Sequence, residues 1–228
     1  MNQNMKRILE LKNKHDGERI FIIGTGPSLL KTNFDLLKNE ILFGVNTLYR
    51  GYQKFNIYCE YYAVSDPKMP YLQDLLNLDT QMFFGHGAMD NYISQLLNHE
   101  IEVKKVPLLL PLMGWMWQTP RNFSKDLVRG TFNGDTVIID VCLQAAYYMG
   151  FDEVYLLGCD SDYSGQHSYN GMKTYNLQGN GVSGDWSKVF ASYEICKKIF
   201  EESNRKIVNA TVGGKLEIFE RKSLEEII

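Results

Sequence analysis

Arg19-Ile20-Phe21-Ile22-Ile23-Gly24-Thr25-Gly26-Pro27-Ser28 is the stretch on which the reading of the fold turns. Its first five residues mix β-branched and aromatic side chains with no polar alternation, the pattern of a strand buried on both faces of a parallel sheet. Two glycines and a proline then stop it. A strand that runs into such a turn can bring backbone N–H groups close to a phosphate or ribose, because glycine places no Cβ in the way. The motif is not a Rossmann fingerprint, since Leu29 stands where a third glycine belongs, and no Gly-Lys-Ser/Thr follows to make a P-loop. A tight turn that needs glycine for geometry alone is the alternative.

Working outward, Met5, Ile8, Leu9 and Leu11 recur at helical spacing and predict a short amphipathic helix from Asn4 to Lys14, closed by His15-Asp16-Gly17. Downstream, the pattern predicts a short helix over Phe34 to Lys38 and strands over Ile41 to Val45, Tyr58 to Val64, Gln81 to Phe84 and Ile101 to Leu108. A helix over Asn91 to Leu97 takes Asp90 as its N-cap. Val137, Ile138, Val141, Ala145, Tyr148 and Met149 then mark a helix that Gly150 closes, and Glu153 to Leu157 form another buried strand. Tyr163 to Gly184 is rich in Gly, Ser, Asn and Tyr and reads as a long loop, a lid over the strand ends. A helix over Lys188 to Ser203 and a strand over Lys206 to Asn209 follow. The sum is an α/β fold, a Rossmann-like, mostly parallel sheet flanked by helices, with residues 1–228 as one domain. In such sheets ligands collect outside the carboxyl ends of the strands, where Gly24 to Ser28, Asn46 and Ser65-Asp66-Pro67 would converge.

Composition narrows the class. At 44% hydrophobic and 22% charged residues the chain has the balance of a globular protein, and a net charge of −3 without Lys/Arg clusters argues against nucleic acid as a partner. Cys59, Cys142, Cys159 and Cys196 show no C-x-x-C spacing, and the first residues lack an apolar signal core, which together suggest free thiols in a reducing cytoplasm. The apolar run from Val106 to Trp117 is shorter than the ~20 residues of a membrane span and carries a proline, so it reads as core or as a patch for a partner or lipid acceptor.

Several residues could carry chemistry. Asp160-Ser161-Asp162, directly after a buried strand, offers two carboxylates that could hold Mg²⁺ or Mn²⁺ against a diphosphate, or that could hydrogen-bond backbone or ribose instead. His86 and His167 sit in loops where an imidazole could act as a general base, whereas His15 and His99 lie in surface-like polar contexts. Tyr163 and Tyr169 could present two phenols to a departing phosphate, or simply pack as aromatics under the loop, and with 14 tyrosines in the chain the pair alone does not decide between these.

Phe21 to Leu29, then Phe43-Gly44-Val45-Asn46 with Tyr49, then Arg129-Gly130-Thr131, and finally Gly150 to Asp160 resemble, in this order, the landmarks of bacterial lipooligosaccharide sialyltransferases. The same blocks recur in a broader family that includes the archaeal 6-hydroxymethylpterin diphosphokinases and the glycosyltransferase-like motility accessory factors. The resemblance spans most of the chain and implies a sialyltransferase-like variant of the GT-A fold. It further implies that Gly24, Thr25, Gly26, Pro27, Ser28 and Asn46 hold a cytidine nucleotide, that Arg129, Thr131 and Asp160 complete the donor site, joined by Asp66 from its place at a strand end, and that Tyr163 and Tyr169 stabilise the leaving phosphate. Those enzymes carry a histidine in a Gly-His-Ser-Lys stretch where this chain reads Gly184-Asp185-Trp186-Ser187-Lys188. Asp185 or His167 would then deprotonate the acceptor, or the chemistry differs.

What the resemblance implies is a glycosyltransferase that moves a sugar, such as a sialic-acid-like one, from a nucleotide donor, CMP first, to a surface-polysaccharide or lipooligosaccharide acceptor. The expected location is the cytoplasm, with peripheral contact at the inner membrane face, an assembly complex or a homo-oligomer left open. The alternatives are a Mg²⁺-dependent pyrophosphate transfer to a pterin, with Asp160 and Asp162 as metal ligands, and a non-catalytic nucleotide-binding partner in polysaccharide assembly.

Overall fold

β1, Arg19–Ile23, occupies an inner position of a sheet that has eight strands among the described residues, every pairing of them parallel. The computed structural model describes residues 2–65, 72–100, 106–111, 123–132, 134, 136–162 and 186–228. After α1 (Gln3–Leu9) and β1 the chain steps outward through β2 (Leu42–Val45), α2 (Tyr52–Phe55), β3 (Tyr61–Val64), α3 (Leu72–Leu76), β4 (Gln81–Phe84), α4 (His86–Leu97) and β5 (Leu108–Leu109). It then returns through a helical segment ending in α5 (Gln144–Met149) to β6 (Glu153–Leu157), on the other side of β1, and finishes with α6 (Trp186–Glu201), β7 (Lys206–Asn209), β8 (Glu220–Arg221) and α7 (Leu224–Ile227). The strand order is β5-β4-β3-β2-β1-β6-β7-β8. The direction of winding therefore reverses between β1 and β6, and their carboxyl ends form the topological switch point.

The unbroken apolar run of β1 follows from its place. Ile20 and Ile22 point into one core with α5, α6 and Ile8 of α1, while Phe21 and Ile23 point into a second core with Leu29, Leu75, Ala88, Tyr92 and Leu224. Both faces are covered by helices, so neither set of alternate positions tolerates a polar side chain.

Most of the expected elements are present, with shifted edges. The first helix ends at Leu9, and its N-terminus is capped by the Asn2 side chain accepting from the Met5 N–H. Phe34–Leu37 is a 3₁₀ turn and not an α-helix, and β3 begins at Tyr61, three residues later than expected. α4 begins at His86 with Gly85 as its N-cap, so Asp90 lies inside the helix, 3.7 Å from His86 Nε2, and is not the cap. Of the strand expected over 101 to 108, Leu108 pairs with Phe83, while residues 101–105 lie outside the described residues. Four short elements, α2, α3, β8 and α7, have no counterpart among the expectations; α7 is opened by a capping box between Ser223 and Glu226.

The helix expected from Thr136 departs from the regular form, since Ile138–Leu143 is π-helical and α5 proper starts at Gln144. Gln144 is fully buried and joins this stretch to the segment that follows β5. Its Oε1 accepts from the N–H groups of Ser124 (3.2 Å) and Phe132 (3.0 Å), and its Nε2 faces the carbonyls of Ile139 (2.7 Å), Asp140 (3.1 Å) and Phe132 (3.1 Å). Removing the amide while keeping the bulk would leave buried backbone groups unmatched at about 1–3 kcal/mol each. Gln144→Leu is therefore expected to lower stability by about 3 kcal/mol or more, read as a drop in the urea midpoint.

Candidate functional site

The parallel ladder between β1 and β6 does not stop where the strands do. Gly24 N–H donates to the Leu157 carbonyl (2.8 Å) and Gly26 N–H to the Gly158 carbonyl (2.9 Å). Next along, Ser28 N–H donates to Asp160 Oδ1 (3.1 Å) and Ser28 Oγ to Asp160 Oδ2 (2.6 Å). The two exits lie so close that a Cβ on Gly24 would come within 2.5 Å of the Gly158 carbonyl oxygen, and one on Gly26 within 1.8 Å of Asp160 Oδ2. Glycine is demanded here by the neighbouring chain. This revises the expected N–H cradle: the N–H groups of Gly24, Gly26 and Ser28 are bound within the protein, Pro27 has none, and Thr25 is the loop position whose N–H has no partner among the described residues.

A third exit joins them. After β7 the chain turns through Gly213 and Gly214, both at positive φ, and Lys215 N–H reaches the Asp160 carbonyl (2.7 Å) while Lys215 Nζ pairs with Asp162 Oδ1 (2.9 Å). Cys159 N–H is received by Thr211 Oγ1 (3.1 Å). On the other side of β1, Asn46 ends β2 in the left-handed region at φ 47°, where asparagine is among the few residues at ease. The buried Tyr62 phenol fixes that turn, accepting from Tyr49 N–H (2.8 Å) and lying 3.1 Å from the carbonyls of Val45 and Asn46.

These exits floor a cleft of about 410 Å³, within the range of small-molecule sites. Gly24, Thr25, Gly26, Asn46, Ser65 and the segment from Gly158 to Asp162 line it on the sheet side, and Thr136, Val137, Ile138, Asp140 and Tyr193 face them. The Asn46 Oδ1 atom is buried without a hydrogen-bond partner among the described residues. Asp140 Oδ1 accepts the Gly134 N–H at 2.6 Å. The charged side chains among the described lining residues are all carboxylates: Asp140, Asp160 and Asp162.

Of the residues singled out from sequence, Gly24, Thr25, Gly26, Asn46, Asp160 and Asp162 meet in this one cleft. Pro27 and Ser28 start a 3₁₀ turn next to it, with Ser28 buried. Arg129 and Thr131 do not line it. Arg129 is exposed, and Thr131 is buried with its N–H on the Pro111 carbonyl, in a turn where a Cβ on Gly130 would meet that same oxygen at 2.1 Å. Asp66, Tyr163, His167, Tyr169 and Asp185 lie outside the described residues. His15 proves less superficial than its context suggested: its Nε2 lies 2.5 Å from the Tyr61 hydroxyl, its Nδ1 meets Glu18, and its ring stacks on Phe151. As candidate metal ligands, Asp160 directs both oxygens to Ser28 and Asp162 is paired with Lys215. No group of three or more His, Cys, Asp or Glu among the described residues is arranged to hold a metal ion.

Sequence reasoning missed the wall formed by Thr136 to Asp140. The one available signal was position: it opens the best-defined helix of the second half, and such openings face the ligand edge of an α/β sheet.

A family model described as 6-hydroxymethylpterin diphosphokinase MptE-like matches residues 1–166. The chain belongs to that family. Among solved structures, this MptE-like chain is similar to a MAf glycosyltransferase from Magnetospirillum magneticum AMB-1, with 14% identity, a TM-score of 0.58 and 97% of the chain covered. The chain spans 38% of that protein's length. It is also similar to the sialyltransferase CstII from Campylobacter jejuni, solved with the substrate analogue cytidine-5'-monophosphate, at 15% identity and a TM-score of 0.54, with 90% of this chain and 85% of the other covered. The likeness confirms the α/β fold of the sialyltransferase-like type. The sequence matches none of the curated proteins. No helix among the described residues is long and apolar enough to cross a membrane.

One thiol of the MptE-like chain reaches the cleft. Burial pushes Cys159 up from near 9 to about 12, with the Asp160 carboxylate acting in the same direction, so it is a neutral thiol and not a nucleophile at neutral pH. Burial likewise pushes Cys59 to about 12 and raises Cys142 and Cys196. The native state keeps these protons where the unfolded chain loses them. Their contribution to stability is thus intact below the ordinary thiol value and is lost as pH climbs from near 9 towards 12. The urea midpoint is expected to fall steadily over that alkaline window, and the fall should shrink in a Cys159→Ala variant.

Proposed function

We propose that this chain is a transferase that draws on a nucleotide-activated donor, and that it moves a sugar from a CMP-type donor to a polysaccharide or lipooligosaccharide acceptor. The observation that carries this reading is the cleft at the β1/β6 switch point, which Gly24, Thr25, Gly26 and Asn46 line at the carboxyl ends of β1 and β2. The CMP-bound sialyltransferase with a similar fold supports cytidine as the first base to try. In this reading residues 1–228 act as one unit on the cytoplasmic side of the membrane. Asp185 or His167 takes the proton of the acceptor hydroxyl, and Tyr163 and Tyr169 donate to the departing phosphate as its charge develops.

The family match favours a second reading, Mg²⁺-dependent transfer of pyrophosphate to a pterin, with Asp160 and Asp162 toward the metal. A thermal-shift series separates the two. CMP at about a hundred times its dissociation constant would add about 2.7 kcal/mol, a rise of roughly 5–10 °C for a chain of this size, without added metal. A rise confined to ATP or AMP with Mg²⁺ would instead select pyrophosphate transfer, and no rise with any nucleotide would refute both. Under the favoured reading, Tyr163→Phe combined with Tyr169→Phe should cut turnover by at least a hundredfold while donor affinity changes by less than threefold; unaltered turnover would remove the phenols from the mechanism.

A further inference from the structure

Asp160 sits where three strand exits meet. Its carboxylate receives both the N–H and the hydroxyl of Ser28 from the β1 exit. Its backbone is pinned from the β7 exit, where Lys215 N–H binds its carbonyl and a Cβ on Gly214 would come within 2.5 Å of that oxygen. Gly26 leaves the room its Oδ2 requires. The loop between these anchors has one residue, Thr25, whose N–H is not bound within the described structure and which lines the cleft.

We infer that Asp160 is a positioning residue: it holds the Gly24–Ser28 loop in the form that presents Thr25 to the cleft, and it does not serve as a metal ligand. Two features of the geometry separate these roles. A hard cation requires the carboxylate's negative charge, whereas holding Ser28 requires only two correctly placed polar atoms. An asparagine supplies them, with Oδ1 accepting the Ser28 N–H and Nδ2 donating to Ser28 Oγ.

The test compares Asp160→Asn, Asp160→Ala and Ser28→Ala in the full chain by amide hydrogen exchange across residues 24–28 and by calorimetric binding of CMP. Binding of Mn²⁺ alone is followed by electron paramagnetic resonance. Expected are exchange at Gly26 and Ser28 at least tenfold faster in Asp160→Ala, about threefold faster in Ser28→Ala, and within twofold of the parent in Asp160→Asn. CMP affinity should follow the same order, with a loss of tenfold or more in the alanine variant and retention within threefold in the asparagine variant. If Asp160→Ala fails to fold, Ser28→Ala and Asp160→Asn carry the comparison. Parent-like exchange in Ser28→Ala or Asp160→Ala would overturn the proposal. So would an asparagine variant as impaired as the alanine one, or Mn²⁺ binding that Asp160→Asn abolishes. The nucleotide arm rests on the function proposed above and the exchange arm does not: a parent protein that ignores CMP refutes that function, while the exchange rates still decide the role of Asp160.

Discussion

The parallel pairing of β1 with β6, carried beyond the last strand residues, is the constraint around which the rest is arranged. Backbone contact runs from Gly24 and Leu157 to Gly26 and Gly158 and ends in the side-chain bonds of Asp160 to Ser28, groups 132 residues apart in sequence. Because the two exits touch, neither Gly24 nor Gly26 has space for a Cβ. Because they touch through hydrogen bonds, the loop directs most of its donors at the protein. A glycine-rich turn after a first strand is usually read as a phosphate grip; here the same residues act first as a seam between the two halves of the sheet.

That seam shapes the chemistry of the cleft. Most loop donors are engaged, and the carboxylates on both walls are engaged in turn: Asp140 with Gly134 N–H, Asp160 with Ser28 and Asp162 with Lys215. The neutral Cys159 thiol and the buried Tyr193 add bulk rather than charge. The likeness to the two solved structures is one of fold.

How much of this the sequence could disclose depended on whether the cause was local. β1 and β6 were legible because burial on both faces leaves an uninterrupted apolar run, and Asn46 and Asp160 because they directly follow such runs. The state of the loop was not legible, since what occupies its N–H groups lies far along the chain. Asp90 looked like a cap because a short acidic residue before an apolar stretch suits that role, yet the helix starts four residues earlier at His86, where Gly85 leaves β4. The π-helical stretch was hidden too: Val137, Ile138 and Val141 fit regular spacing, and only Gln144, an amide in an apolar face, hinted at an irregular ladder. β8 pairs through two residues, too few to leave a pattern.

The winding reversal has a consequence for biosynthesis. As the chain leaves the ribosome, β1 to β5 can pair in order of appearance, each new strand joining the last. The other edge of β1, four of its five residues buried in the finished protein, stays open until residue 157 has emerged. A growing chain of this topology therefore carries an unpaired apolar edge from the emergence of Ile23 to that of Leu157, the kind of surface that recruits wrong partners.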